Sequence, residues 1–352
     1  MRILALLLLL QAPPDKLDAA FTVVKEAVEK DDIPGAIALV ARRGKVLREE
    51  AFGVSDLEAK TPFAKNTLCW AASITKAFTV AAAMTLVDAG RLALDDPVEK
   101  HLPEFKEQKD REGAHHAFTI RQLMTHSSGL LRDSPTRKSA MGPDWRGQKI
   151  EDVVAAVAKT ELVFKPGSKS QYSNAGMIVL GRVIEVVTGR PYADGVKSAV
   201  LDPCGMKDSF YAIPASEAKR VSPVYEERKG RRASYFRFDP EFKVVNTAPN
   251  GGLFTSPGEL AKFMNVFIAD DGTVLSKASV AEMLKEQVPN RGLGWAVLGT
   301  EFSHGGSSGT FAWGDPKTGV VGILFLQCTD DQGKHQKVTR RFAELVNAAM
   351  KE

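Results

Sequence analysis

The stretch Cys69 to Gly90, CWAASITKAFTVAAAMTLVDAG, sets the frame for the rest of the chain. Ala77, Val80, Ala81 and Met84 recur at helical spacing, and Gly90 is a helix-stop signal. The run opens on Ser73-Ile74-Thr75-Lys76. Residues three apart share a helix face, so Ser73 and Lys76 would sit side by side at the helix start. A serine hydroxyl is a poor nucleophile until a neighbouring base takes its proton. A lysine partly desolvated near a positive helix N-terminus loses proton affinity and can be that base. The same terminus offers backbone N–H groups to a developing oxyanion. The S-x-x-K spacing recurs at Ser216-Glu217-Ala218-Lys219, where charged flanks and the lack of a following apolar helix read as surface. Spacing alone therefore decides nothing, and the context of Ser73 has to supply the rest.

With 352 residues the chain has room for two domains, at about 150 residues each. Leu17, Phe21, Val24 and Val28 mark a first amphipathic helix. Ala36 to Val40 and Val46 to Phe52 read as a hairpin turning at Arg43-Gly44. Between Thr119 and Thr188 the pattern is helical, over 119–124, 151–159 and 175–188. Residues 220–245 read as irregular, with Arg228-Lys229-Gly230-Arg231-Arg232 as a solvated loop. After Gly251-Gly252 comes a helix over 257–268. Strands follow over 293–298, 310–313 and 320–327, the last two joined by a turn at 315–319. Val338, Phe342, Leu345, Val346 and Ala349 give a closing helix. Strands at both ends with helices between them imply one antiparallel sheet built from both termini. The expected class is α+β, with the sheet flanked by N- and C-terminal helices. Residues 13–85 and 245–352 form the expected α/β domain, and 86–244 a mostly α-helical insert domain.

The net charge of +4, with both signs interspersed, argues against a nucleic-acid partner. No apolar run reaches the ~20 residues of a membrane span, so no transmembrane segment is expected in the mature chain. The N-terminal MRILALLLLLQAPPDK reads as a signal peptide over 1–12 and implies a periplasmic or secreted protein. Cys69, Cys204 and Cys328 are odd in number, so at least one thiol is free, and they read as small buried hydrophobes. With no zinc spacing and no H-E-x-x-H run, neither metal nor cofactor is expected. The sequence carries no signal for oligomeric state.

Two further clusters bear on chemistry. Tyr172-Ser173-Asn174 precedes the helix at 175, where a tyrosine can pass protons and an asparagine can orient a lysine or a substrate amide. His304-Gly305-Gly306-Ser307 leads into the last hairpin, and its glycines allow a ligand close to the backbone. Taken together, Ser73-x-x-Lys76, Tyr172-x-Asn174 and His304-x-Gly306 resemble, in order and setting, the active-site elements of the serine β-lactamase and penicillin-binding protein superfamily. Ile33-Pro34-Gly35, Leu94-Asp95-Asp96-Pro97, Leu123 to Leu130 and Gly251-Gly252-Leu253 add to the resemblance. It is strongest with the branch of class C β-lactamases, DD-peptidases and esterases.

The resemblance implies that Ser73 forms an acyl-enzyme on a small-molecule or peptide substrate. The bond broken would be an amide, peptide or ester: a β-lactam, a D-Ala peptide or a carboxylic ester. Lys76 and Tyr172 would share the proton traffic, with either as base. Asn174 would orient, His304 and Gly306 would line the substrate, and Ser307 would lend an oxyanion N–H. His304 stands where β-lactamases carry lysine, and a free imidazole of pKa about 6.5 holds a carboxylate less strongly. Lys317-Thr318-Gly319 spells the third β-lactamase motif but falls in the tip of the last hairpin, and is set aside. Gly305-Gly306-Ser307-Ser308-Gly309 fits a nucleophile elbow but lacks the following helix. His126 reads as a loop brace. A catalytically idle protein that binds cell-wall peptide or a partner is the alternative. It would have no need of Ser73, Lys76, Tyr172 and Asn174 together.

Overall fold

A computed structural model describes residues 15–136, 147–241, 244 and 247–351. The signal peptide expected over 1–12 lies outside the described residues.

The strands are β1 (Gly35–Arg42), β2 (Lys45–Asp56), β3 (Thr61–Pro62), β4 (Cys69–Trp70), β5 (Val224–Arg228) and β6 (Arg231–Phe236), followed by β7 (Phe254–Thr255), β8 (Ala296–Leu298), β9 (Glu301–Gly306), β10 (Thr310–Asp315), β11 (Val320–Phe325) and β12 (Cys328–Asp330). The helices are α1 (Asp18–Glu29), α2 (Thr75–Asp88), α3 (Ile120–Met124), α4 (Ile150–Ala158), α5 (Asn174–Thr188), α6 (Tyr192–Val196), α7 (Pro257–Ala269), α8 (Lys277–Leu284) and α9 (Lys334–Met350). The main sheet has the order β3-β2-β1-β11-β10-β9-β8, with antiparallel neighbours throughout. Strands from both ends of the chain thus meet at the β1–β11 pair, as the sequence pattern implies. No helix among the described residues is long and apolar enough to cross a membrane.

Both faces of β1 are covered, which is why it reads as a continuous apolar run rather than an alternating one. Ile37, Leu39 and Ala41 join the larger core with α2 and α7. Ala36, Ala38 and Val40 join a second core with α1 and α9. A register slip of one residue would exchange these two sets, so the packing fixes the pairing. Cys69 and Cys328 are buried thiols, and Cys204 is partly buried.

The structure departs from the sequence reading in three places. Residues 224–236, expected as irregular, form the β5–β6 hairpin, which β12 extends into a three-stranded sheet. Its turn, Arg228 to Arg231, is exposed as expected, but one charged pair is drawn in across the strands. Glu227 lies opposite Arg232, whose guanidinium bonds Glu227 and Asp31 and is largely covered. Opposite charges across a pair support a strand that has little apolar alternation. His304-Gly305-Gly306 ends β9, a strand the sequence pattern did not mark, and its backbone pairs with Ala312, Phe311 and Thr310. Helix α8 follows a Ser276 cap and lies in a segment the sequence pattern did not mark.

Helix α2 is buried on all sides from Thr75 through Met84, not on one stripe. It is the post around which both halves of the larger core pack. Phe78 stacks on Phe263 of α7 with ring centroids 3.8 Å apart, and both are fully buried. Phe78→Ala should therefore cost about 3–5 kcal/mol in urea unfolding. A loss under about 1 kcal/mol would contradict a central role for this helix.

Candidate active site

The polypeptide enters α2 through a 3₁₀ turn, Ala72–Ile74, which places Ser73 just ahead of the helix and Lys76 in its first turn. Ala72 has φ +47°, a left-handed conformation that costs a non-glycine residue energy. Lys76 is fully buried. Its Nζ donates to Ser73 Oγ at 3.1 Å and to the Asn250 carbonyl at 2.6 Å, and lies 4.8 Å from the centre of the Tyr172 ring. The loop carrying Asn250 is itself bonded to α2. Leu253 N–H donates to Thr75 Oγ1, and Thr79 Oγ1 donates to the Pro249 carbonyl.

Tyr172 comes from the loop before α5, and its hydroxyl lies beside Ser73 on the cavity wall. Burial pushes the phenol above its usual pKa, opposed by Ser73 and by the Arg291 and Arg132 guanidinium groups. At neutral pH it is therefore a phenol, able to donate a proton. The loop is braced by residues 125–133. His126 Nδ1 accepts the Ser173 N–H at 3.2 Å, and its carbonyl accepts the Gln171 N–H at 2.8 Å. The His126 ring packs on Tyr172 with centroids 4.6 Å apart. This is the bracing role its Ser/Gly surroundings suggested. Ser173 caps α5 through the Gly176 N–H, and the Asn174 amide donates to Asp133 Oδ1 at 2.7 Å. Asn174 thus anchors the loop to the Arg132-Asp133 segment.

Strand β9 forms the opposite wall. His304 is buried, and burial with the nearby Lys76 charge lowers its pKa to about 3. Its Nδ1 contacts the Gly305 carbonyl at 2.8 Å. Gly306 packs directly on the nucleophile turn. A Cβ there would lie 2.1 Å from Thr310 Oγ1 and 2.7 Å from the Ala71 carbonyl. Only glycine lets β9 approach this closely. Ser307 is exposed in the β9–β10 turn, and its carbonyl accepts the Tyr235 hydroxyl at 3.1 Å. Among the described residues, neither the Ser73 nor the Ser307 N–H has a hydrogen-bond acceptor. Lys317 is exposed at the β10–β11 turn, and Ser216 lies in an unburied 3₁₀ segment.

Ser73, Tyr172 and His304 line a cavity of about 470 Å³ together with Arg132, Arg291 and Phe311. The sequence reading missed Arg291. Burial lowers the pKa of its guanidinium, which Tyr172 opposes, and no carboxylate among the described residues pairs with it. Nothing in Pro289-Asn290-Arg291-Gly292 sets it apart from the other basic residues, because its desolvation is a tertiary effect. Asn250 was missed for a similar reason: it acts through its backbone carbonyl.

A sequence model of the family described as Beta-lactamase matches residues 21–346. The chain belongs to the Beta-lactamase family. Esterase EstB of Burkholderia gladioli is 31% identical over 85% of this chain and 84% of its own length. Protein Rv1367c of Mycobacterium tuberculosis is 31% identical over 89% and 91%. The solved structure of EstCE1, a hydrolase with promiscuous acyltransferase activity, has a TM-score of 0.82. It is 22% identical over 94% of this chain and 98% of that one, a likeness of fold. Family and relatives support a serine hydrolase-type enzyme.

In this Beta-lactamase-family site a buried neutral imidazole makes stability depend on pH. An unfolded histidine takes up a proton near pH 6.5, whereas folded His304 does so only near 3. The stability His304 contributes is therefore present above about pH 6.5 and is lost as pH falls towards 3. Between pH 7 and pH 5 that loss should be about 2 kcal/mol in urea unfolding, and His304→Asn should remove it. An equal acid loss in both proteins would contradict the buried neutral state.

Proposed function

We propose that this chain is a serine hydrolase of carboxylic esters that works through an acyl-enzyme on Ser73. The observation that carries this reading is the buried Lys76 amine 3.1 Å from Ser73 Oγ, with Tyr172 beside the same serine on the cavity wall. Ser73 Oγ attacks the ester carbonyl while its proton passes to the Lys76 amine, which acts as base in its uncharged form beside the Tyr172 phenol. The carbonyl oxygen becomes an oxyanion between the N–H groups of Ser73 and Ser307. Collapse breaks the C–O bond, and the departing alkoxide takes the proton back from Lys76. Water, deprotonated by the same amine, then releases the acid and restores Ser73. Each oxyanion donor is worth ~10²–10³ in rate, so the Gly306 contact that holds β9 against Ser73 bears on turnover as well as fold.

Three features favour esters over β-lactams. His304 is neutral where a lysine would hold a carboxylate, esters need less activation of their leaving group, and EstB is an esterase by name. A substrate carboxylate nonetheless has cationic partners on the cavity wall, Arg132 and the more buried Arg291, which no carboxylate among the described residues pairs. This supports esters, or D-alanyl peptides, with an acid group on the departing side. The idle-binder alternative leaves the Ser73–Lys76 contact without a purpose.

Ser73→Ala should lower kcat/KM for p-nitrophenyl acetate by roughly 10⁴-fold or more, and hydrolysis near the wild-type rate would sink the reading. In the same assay Arg291→Gln should raise KM about tenfold for an ester with a free carboxylate, and far less for its neutral methyl ester. Equal shifts for both would remove Arg291 as the carboxylate partner.

A further inference from the structure

A second cavity, of about 510 Å³, lies on the other face of the sheet between β9–β10 and α9. Its exposed surface is mostly apolar along Gly305, Gly306, Phe311 and Ala343, with Thr339, Arg340 and Glu344 of α9 also on its wall. Gly305 and Phe311 also line the cavity that holds Ser73, so the two spaces meet at this point of β9. The volume is in the range of small-molecule sites.

The register explains why they meet. Strand β8 pairs with β9 only at Glu301 to Ser303, so the outer edge of His304 to Gly306 has no strand partner among the described residues. Gly306 and its partner Thr310 face the nucleophile turn. Gly305 and its partner Phe311 therefore face the α9 side, since successive residues alternate between faces. Phe311 packs with that second core and stacks on Trp313 at 5.7 Å. A side chain at position 305 would stand at the mouth of the α9 groove, and glycine leaves that mouth open, with the Phe311 ring beside it.

We infer that the groove between β10 and α9 receives the apolar acyl arm of the substrate bound at Ser73. The inference rests on the acyl-enzyme reading above. The departing alcohol must meet its proton donors, Lys76 and Tyr172, so the acyl arm lies on the other side of the scissile bond, against β9. An extended arm lying along the open β9 edge places successive substituents on alternate faces of the sheet. Those on the Ser73 face meet His304, and those on the opposite face pass Gly305 and enter the groove. The substrate class is thus esters of medium-chain or otherwise bulky apolar acids.

The test is a series of p-nitrophenyl esters from acetate through hexanoate to decanoate. It is run on wild type, Ser73→Ala, and two groove-filling variants, Ala343→Phe and Thr339→Phe. In the wild type kcat/KM should rise with chain length. Filling the groove should lower the decanoate value at least about tenfold and leave acetate within about twofold. Acetate turnover also reports folding, so if one variant misfolds the other stands in for it. A wild type that prefers acetate, or folded variants with the wild-type chain-length profile, would overturn the proposal. Acetate hydrolysis that survives Ser73→Ala would instead remove the reading of the site on which it stands.

Discussion

A lysine amine held away from water is costly unless its environment replaces the lost hydration. Lys76 is fully buried, and the groups that replace it come from segments far apart in sequence. Ser73 arrives on the turn before α2, the Asn250 carbonyl on the loop before β7, and the Tyr172 ring on the loop before α5. The amine is therefore a junction as well as a chemical group. The hydrogen bonds of Thr75 and Thr79 repeat the link to the Asn250 loop one step away and one turn along the same helix. Burial of α2 on every face is what keeps these partners in register.

The same packing holds the backbone in a conformation it would not choose alone. Ala72 sits at positive φ, directly under Gly306 of β9, where no larger residue would fit. Strain of this kind persists only where the surroundings over-determine it. Here it sets Ser73 at the head of α2, on the cavity wall beside β9. The Tyr235 hydroxyl, from β6, steadies the turn that carries Ser307. The β5–β6 hairpin thus bears on the site without touching the nucleophile.

Much of this was legible in the sequence where a local rule applies. Ser73 and Lys76 are paired by helical spacing, and the helix after Tyr172-Ser173-Asn174 is marked by its apolar run, although its cap is Ser173. The strands read at both ends of the chain and the helices between them gave the antiparallel sheet. Contacts made by backbone or by desolvation were not legible. Asn250 acts through a carbonyl that any residue could supply, and Arg291 differs from other arginines only in having its neighbours removed from water. The β5–β6 hairpin hid behind charges that pair across it, and β9 behind glycines whose absent side chains are their function.

The central claim is that Ser73 carries the acyl group, and the most direct measurement is the mass of the quenched enzyme during turnover of a slow ester, followed by tryptic mapping. The expected result is one acyl adduct on the peptide spanning residues 66–76, which holds Ser73 and ends at Lys76. An adduct on the peptide spanning residues 292–317, which holds Ser307, would contradict it. So would steady turnover with no covalent adduct at any time.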